Sequence, residues 1–254
     1  MSGKYMAYVG SYSYTGKAKG ITVFDVDVEN GMFKERCEIE VDNSSYVIAS
    51  SDGKTLYSIA DEGVVSFRIL PNGSLARLNS SSIRGMRGCH LCTDEEDKYV
   101  FVSGYHDGKT TVLSLNPDGS VGKIVDGVFD RGYGSVAERN FRPHVTCTRR
   151  MPDNRFVLSV DNGIDQVKIY RFNDKEQKLV QVDAIRCDLE SAPRHFRYSK
   201  DGKFIYLMYE LKKAIEVYTY KTGDRAPVIE KIQTISTTST KNPDNLTAAC
   251  AMRM

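Results

Sequence analysis

Three residue types capable of acid–base and anion chemistry flank one predicted hairpin. Arg194 and His195 come just before its first strand, and Glu210 ends its second. The residues between them alternate aromatic and apolar side chains around an Asp201-Gly202 turn, which is typical of two antiparallel strands. A tight turn brings the far ends of its strands together. We therefore expect a guanidinium, an imidazole and a carboxylate to meet at one edge of a sheet.

This group of side chains has a catalytic and a structural interpretation. A carboxylate or an imidazole can act as the base that activates a water molecule. An arginine can hold an oxyanion or a phosphate with its planar fork of donors. The alternative is that Arg194 and Glu210 form an ion pair that only ties the strand ends together. The residues by themselves leave both interpretations open.

The hairpin belongs to a repeated unit. Its turn recurs around Asp52, Glu96, Asp153 and Asp201, at spacings of 44, 57 and 48 residues. After each turn come a second strand, a third strand, a polar turn and a more polar fourth strand. Four short antiparallel strands in each unit of about 45–50 residues predict the blades of a β-propeller. A β-sandwich is the alternative architecture, but a sandwich does not require one recurring turn motif.

The two ends of the chain complete this interpretation. No segment shows helical periodicity, so the fold class is predicted to be all-β. Residues 1–40 contain only three predicted strands, whereas residues 246–254 resemble one further inner strand. The expected total is twenty strands, or about five blades. The last strand could close the structure against the first blade, or the sequence could belong to a longer propeller.

Bulk properties exclude several classes of protein. The 254 residues carry a net charge of +2, so no overall field indicates a nucleic-acid or membrane partner. No signal-peptide segment is apparent, and no apolar run approaches the roughly 18 residues of a membrane span. We therefore expect a cytoplasmic protein. Its six cysteines are expected to be reduced thiols rather than a disulfide framework.

A metal centre is not expected. The Cys89-His90-Leu91-Cys92 stretch resembles a ligand pair, but residues three apart in a strand point to opposite faces. No second cysteine pair completes a tetrahedral zinc site. His90 is left with two interpretations, as a residue that lines a channel or as one that satisfies buried backbone groups.

Several motifs together resemble the lactonase family of seven-bladed β-propellers. The resemblance is carried by four stretches: Gly88-Cys89-His90-Leu91, Arg142-Pro143-His144-Val145, Ala192-Pro193-Arg194-His195 and Glu210-Leu211. The family includes the propeller-type 6-phosphogluconolactonases and is related to carboxymuconate-lactonizing enzymes. The resemblance runs along essentially the whole chain and corresponds to the first five blades of the family.

The resemblance implies a fold and an activity. It predicts one β-propeller domain over residues 1–254, with about five of the seven blades of the family fold. It predicts hydrolysis of a sugar lactone, such as the 6-phosphogluconolactone of the pentose phosphate pathway, at the mouth of the central channel. The expected partner is this small molecule, without a metal, an organic cofactor, a nucleic acid or a membrane. The oligomeric state is left open.

The resemblance also implies roles for particular residues. The implied catalytic residues are Glu210, Arg194 and His144. The implied substrate-binding residues are His195, His90, Arg142 and Thr146. Thr146 departs from the family, which commonly has His-x-His where this chain has His144-Val145-Thr146. This departure supports a second hypothesis, a non-catalytic propeller that binds a ligand or a protein partner.

Overall fold

A computed structural model describes residues 5–135, 141–238 and 248–253. The regular structure in these residues is β-strand, arranged as one three-stranded sheet and four four-stranded sheets. No helix occurs in the described residues, and so none that is long and apolar enough to cross a membrane is found there. Five small separate sheets confirm the predicted blade architecture and exclude a sandwich of two large sheets.

Each sheet is a simple meander. The strands of the first two sheets are β1 (Tyr5–Gly10), β2 (Gly20–Asp27), β3 (Met32–Glu40), β4 (Val47–Ala49), β5 (Thr55–Ala60), β6 (Gly63–Ile69) and β7 (Leu75–Ser82). Those of the third and fourth are β8 (His90–Thr93), β9 (Tyr99–Gly104), β10 (Lys109–Leu115), β11 (Val121–Phe129), β12 (Val145–Arg150), β13 (Phe156–Asp161), β14 (Gln166–Asn173) and β15 (Lys178–Arg186). The fifth sheet contains β16 (Pro193–Tyr198), β17 (Phe204–Tyr209), β18 (Ala214–Lys221) and β19 (Val228–Ser236). Neighbours in each sheet are neighbours in sequence, as short connections favour.

The chain packs as two compact units. The first is formed by the residues up to 102 with residues 113–124, and the second by residues 103–112 with those from 125 onward. In the first unit, Tyr57, Val64 and Leu113 belong to one buried apolar cluster. In the second, apolar residues that alternate along β13 and β17 form the largest cluster, which includes Phe156, Leu158, Val160, Ile205 and Leu207. This two-residue period is the one expected of strands that present one face to a neighbouring layer.

The recurring turn has a backbone requirement that explains its sequence. Its second residue lies in the left-handed region, with φ of 68° at Gly53, 50° at Asp97, 54° at Asn154 and 70° at Gly202. Only glycine, asparagine and aspartate adopt this region readily. The preceding aspartate also accepts a backbone N–H two residues on, as in the bond of 3.0 Å from Lys54 to Asp52.

One expectation about the turns and one about the strands are corrected. In the third sheet, the N–H of Lys98 is accepted by Asp94 at 2.8 Å and not by the predicted turn acid Glu96. Residues 248–253 form no strand, so the described residues contain nineteen strands and not twenty. The remaining residues of that predicted strand, 246, 247 and 254, lie outside the described residues. Instead, the N–H groups of Ala249 and Met252 donate to the carbonyl of Glu210 at 3.4 Å and to His195 Nδ1 at 3.3 Å, so this segment lies against the β16–β17 hairpin.

Candidate functional site

Two inner strands of the second unit carry the same backbone irregularity. In β12 the register to β13 shifts between Val145 and Cys147, so Thr146 is an extra residue. In β16 the register to β17 shifts between Pro193 and His195, so Arg194 is an extra residue. Such β-bulges redirect one side chain and occur often beside active sites. The bulges therefore distinguish Thr146 and Arg194 from the regular positions of their strands.

Arg194 and Glu210 form an ion pair at the end of the β16–β17 hairpin. Arg194 Nη1 donates to Glu210 Oε2, and the side chains are 30% and 5% exposed. Glu210 is fixed by its own backbone, since its N–H donates to the carbonyl of Ala192 at 2.8 Å. Burial is the largest single influence and lowers the pKa of Arg194, but the charge and hydrogen bond of Glu210 together with those of Cys250 outweigh it, so the pKa is raised. The guanidinium and the carboxylate thus meet at the end of the hairpin, as its pattern predicted.

Asn162 is a residue of this site that the sequence interpretation missed. Its Nδ2 lies 3.3 Å from Glu210 Oε2 and 3.5 Å from the carbonyl of Ala192. The repeat contained a signal for it. Asn162 comes nine residues after the turn acid Asp153, as Glu210 comes nine after Asp201. Asparagine thus occupies in one blade the position that glutamate occupies in the next.

Thr146 supports Arg194 through the backbone. Its hydroxyl donates to the carbonyl oxygen of Arg194 at 2.7 Å, and Val160 O lies farther away at 3.3 Å. Thr146 is buried. Thr146, the residue that departs from the family pattern, therefore holds the backbone of the bulge at Arg194.

His195 is buried and electrically neutral at pH 7. Burial first, and then the charges of Arg149, Arg253 and Arg194, lower its pKa to about 4. Its Nδ1 lies 3.3 Å from the N–H of Met252, which donates to it. A ring in this state can bind a ligand through one nitrogen, but it does not attract an anion by its own charge.

His144 lies in a buried position. Its ring stacks on Tyr105 at a centroid distance of 4.2 Å and an angle of 15°. Nδ1 is 2.6 Å from the carbonyl of Tyr105, so Nδ1 carries the hydrogen and Nε2 is the acceptor in the neutral ring. Burial first, and then the charges of Arg142 and His106, lower the pKa of His144.

The other two predicted residues are Arg142 and His90. Arg142 is exposed, and it donates to the carbonyl of His106 at 3.2 Å while its guanidinium rests over the ring of Phe141 at 5.6 Å. Its contacts among the described residues are thus not with the Arg194–Glu210 pair. His90 belongs to the first unit, where it is buried with its ring 4.8 Å from that of Tyr46.

The loop before β16 stores backbone strain next to the site. Glu190 and Ala192 have φ of 61° and 51°, a conformation that costs energy in residues other than glycine. Asp165 compensates, because its Oδ2 accepts the N–H of Glu190 at 2.9 Å and its Oδ1 that of Ala192 at 2.8 Å. Since Ala192 is bonded to Glu210, Asp165 fixes the approach to the Arg194–Glu210 pair. The sequence pattern did not indicate this role.

A buried acid anchors the strands that carry Glu210. The hydroxyls of Tyr209 and Tyr218 each donate to Glu216 Oε2 at 2.5 Å. Lys212 and Lys231 lie 2.7 and 3.2 Å from Glu216 Oε1. Burial opposes ionisation, but the bonds from Lys212 and both tyrosines lower the pKa of Glu216 to about 2. Tyr209 directly precedes Glu210, so this network holds the end of β17 in place.

The arrangement offers a defined chemistry. It combines a buried carboxylate, a half-exposed guanidinium and an amide that binds one carboxylate oxygen. A carboxylate so placed can accept a proton from water, and a guanidinium can stabilise a developing oxyanion.

Comparison with protein families places the chain. The family model described as "Lactonase, 7-bladed beta-propeller" matches residues 6–253. A 6-phosphogluconolactonase of Bacillus subtilis is 31% identical over 248 residues, which cover 95% of this chain and 69% of that protein. A 6-phosphogluconolactonase of Formosa agariphila is 27% identical over 85% of this chain and 65% of that protein. The chain thus spans about two thirds of the length of such relatives.

Solved structures give the same result. A protein of Bacteroides fragilis proposed to be a 6-phosphogluconolactonase superposes with a TM-score of 0.84 at 30% identity, over 94% of this chain and 69% of that one. The periplasmic gluconolactonase of Pseudomonas aeruginosa superposes with a TM-score of 0.83 at 24% identity, over 92% of this chain and 68% of that one, and shares the fold. Because that neighbour is periplasmic, the cytoplasmic location of this chain stays a prediction.

Proposed function

Because the chain belongs to the lactonase family of seven-bladed β-propellers, as its motifs predicted, we propose that it hydrolyses a sugar lactone, namely 6-phosphogluconolactone. The observation that carries the proposal is the Arg194–Glu210 pair at the bulged end of the β16–β17 hairpin. The names of the relatives from Bacillus and Formosa support the substrate class. We further propose that residues 1–254 form a single domain with five of the seven family blades, and that the site lies at the mouth of the central channel.

The proposed reaction assigns one task to each group. Glu210 takes a proton from a water molecule, whose oxygen attacks the lactone carbonyl carbon. Arg194 moves its fork from Glu210 to the carbonyl oxygen and stabilises the negative charge that forms there. When the intermediate collapses, the bond between the carbonyl carbon and the ring oxygen breaks. The proton held by Glu210 then passes to the ring oxygen, and the product is the open-chain acid.

The other predicted residues have supporting tasks in the proposal. His144 is a second acid–base group, since its neutral ring has Nε2 as an acceptor. Thr146 and Asn162 position the Arg194–Glu210 pair. Arg142 is an exposed cation that could meet the phosphate of the substrate, and His195 contacts its sugar ring. A substrate-binding role for His90 stays a prediction. No metal or organic cofactor takes part in these steps.

A rate measurement tests the proposal. Acid release from 6-phosphogluconolactone is followed at constant pH with the purified chain, and the spontaneous rate is subtracted. We expect a rate above background that falls to background in Glu210→Gln. The exposed Glu176→Gln variant serves as the control. A wild-type rate equal to the spontaneous one would contradict the proposal.

A second function is favoured by one observation. Thr146 stands at a position where the family commonly has histidine, and a diverged propeller could bind a lactone or its acid without converting it. Calorimetric titration with 6-phosphogluconate separates the two. If 6-phosphogluconate binds in a way that depends on Arg194, but the lactone is not hydrolysed, the protein is a binding module and not an enzyme.

A further inference from the structure

Two buried carboxyl groups face each other next to the candidate site. Asp130 directly follows β11, and Asp161 is the last residue of β13. The side chain of Asp130 and the whole residue Asp161 are 0% exposed. Two carboxylates that are both ionised in such a place would repel each other strongly, because burial removes the screening by water.

One carboxyl oxygen of each acid, Oδ1, has hydrogen-bond or ion-pair partners. Asp161 Oδ1 accepts the N–H of His144 at 2.8 Å and that of Gly163 at 2.9 Å. Asp130 Oδ1 accepts the hydroxyl of Tyr170 at 3.0 Å and lies 3.3 Å from Lys168 Nζ. The second oxygen of each acid, Oδ2, has no donor among the described residues. Lys168 and Tyr170 lie on the same face of the sheet as Asp161, so Asp130, which both of them contact, lies beside Asp161.

One proton satisfies both remaining oxygens. We infer that Asp161 is protonated at neutral pH, donates this proton from Oδ2 to Asp130 Oδ2, and thereby positions Asn162 beside Glu210. In this state each oxygen of the pair has a partner, and a single negative charge remains, opposite the ammonium of Lys168. The catalytic part of this inference rests on the proposed function, whereas the shared proton does not.

The surroundings decide which acid holds the proton. Asp130 Oδ1 lies 3.3 Å from Lys168 Nζ and accepts the hydroxyl of Tyr170 at 3.0 Å. Asp161 faces two backbone N–H groups and Asp130. Burial first, and then Asp130, raise the pKa of Asp161 to about 8.

The other titratable groups around the pair keep their state near neutral pH. Burial and the charge of Asp130 raise the pKa of Tyr170, so its hydroxyl stays protonated. His144, whose backbone is bonded to Asp161, stays neutral because burial and nearby cations lower its pKa. Ionisation of Asp161 is therefore the event expected near pH 8.

Asp161 connects to the site through its sequence neighbours. The residue after it is Asn162, whose backbone N–H donates to the carbonyl of His144 at 2.9 Å and whose side chain reaches Glu210. Loss of the shared proton would push two carboxylates apart at the base of this link. We therefore assign Asp161 as a positioning residue that acts through Asn162.

Unfolding in urea between pH 4 and pH 9 tests the shared proton without any assay of activity. An acid with a raised pKa makes folding stability fall as pH rises between its unfolded value, about 3.9, and its folded value. We expect this decline to be flattened in Asp161→Asn, because the amide donates to Asp130 and accepts both N–H groups in the way the protonated acid does.

Asp130→Asn is the matched variant. It leaves Lys168 without its acidic partner, so we expect it to be less stable than Asp161→Asn at pH 7. The exposed Glu176→Gln variant should keep the wild-type profile. A profile of Asp161→Asn parallel to the wild type, or the reverse order of the two stabilities, would overturn the shared proton.

The positioning role is tested by the pH profile of kcat/KM for lactone hydrolysis above the spontaneous rate. We expect the wild-type profile to decline above about pH 8, and Asp161→Ala to lose about tenfold at pH 7. Asp161→Asn should recover most of that loss and remove the alkaline decline. Full activity in Asp161→Ala would overturn the positioning role. An inactive wild type would reject the proposed function, while the urea profiles would still decide the shared proton.

Discussion

Two hairpins of the second unit share one backbone design but carry different side chains. Both β12–β13 and β16–β17 have a bulge at the same place in the inner strand. In the first hairpin the bulged residue is Thr146 and the residue after the partner strand is Asn162. In the second these positions hold Arg194 and Glu210. The repeat thus presents two equivalent positions twice, once with neutral and once with charged groups.

The contacts show that the neutral hairpin serves the charged one. Thr146 donates to the backbone of Arg194 at 2.7 Å, and Asn162 lies 3.3 Å from the carboxylate of Glu210. A charged pair that is largely buried needs such additional hydrogen bonds to offset its loss of hydration. Repetition of the backbone thus fixes where side chains can meet. Divergence between the repeats gives one hairpin the proposed reacting groups and the other the residues that position them.

The largest expected effect comes from removing the charge that distinguishes the second hairpin. Glu210→Gln keeps the shape of the side chain but removes the proposed base, so lactone hydrolysis should fall by about 10²-fold or more. The rate is measured above the spontaneous background, with circular dichroism to confirm the fold. A rate within a factor of about two of wild type would mean that Glu210 only forms a structural ion pair with Arg194.

A smaller effect is expected when the cation is kept but its shape is changed. Arg194→Lys retains a positive charge and loses the planar fork, so kcat/KM should fall about tenfold. Arg77→Lys is the matched control, because Arg77 is exposed, donates to Ser80 and has no part in the proposed site. An equal loss in both variants would mean that the effect is one of general charge and not of the site.

The neutral hairpin can be changed in two directions at Thr146. Thr146→Val removes the hydroxyl and leaves the carbonyl of Arg194 without that donor, at a cost of about 1 kcal/mol and so roughly fivefold in kcat/KM. Thr146→His restores the histidine common in the family and should raise a weak activity severalfold. The effects of both substitutions are measured as rates of lactone hydrolysis above the spontaneous rate. If neither substitution changes the rate, the inference that Thr146 positions Arg194 is wrong.

The smallest effect is a pH dependence of stability at His195. The pKa of His195 is lowered to about 4 in the folded protein, whereas that of a histidine in the unfolded chain is about 6.5. The stability that the neutral ring contributes is therefore fully present above about pH 6.5 and is lost as the pH falls towards 4. Between pH 6.5 and 5.5 we expect a loss of about 1 kcal/mol in the free energy of unfolding, measured in urea. His195→Gln should reduce this slope, and an unchanged slope would contradict the assignment.

The sequence by itself determined much of this protein. The repeated turns predicted four of the five sheets as four-stranded meanders and the first as three-stranded, and the strand bounds agree within a few residues. It also brought Arg194 to Glu210, which are 16 residues apart. Both results depend on hairpins, in which the turn and the alternation of side chains fix the register locally.

Only the tertiary structure decided the rest of the site. Thr146 and Arg194, like Asn162 and Glu210, are 48 residues apart, and they meet because neighbouring sheets pack against each other. The same packing buries His144 and brings Asp130 to Asp161. Side-chain period and turn type act over a few residues, whereas packing between sheets depends on the shape of whole apolar faces. The sequence pattern could therefore locate each strand end but could not show which end would meet which.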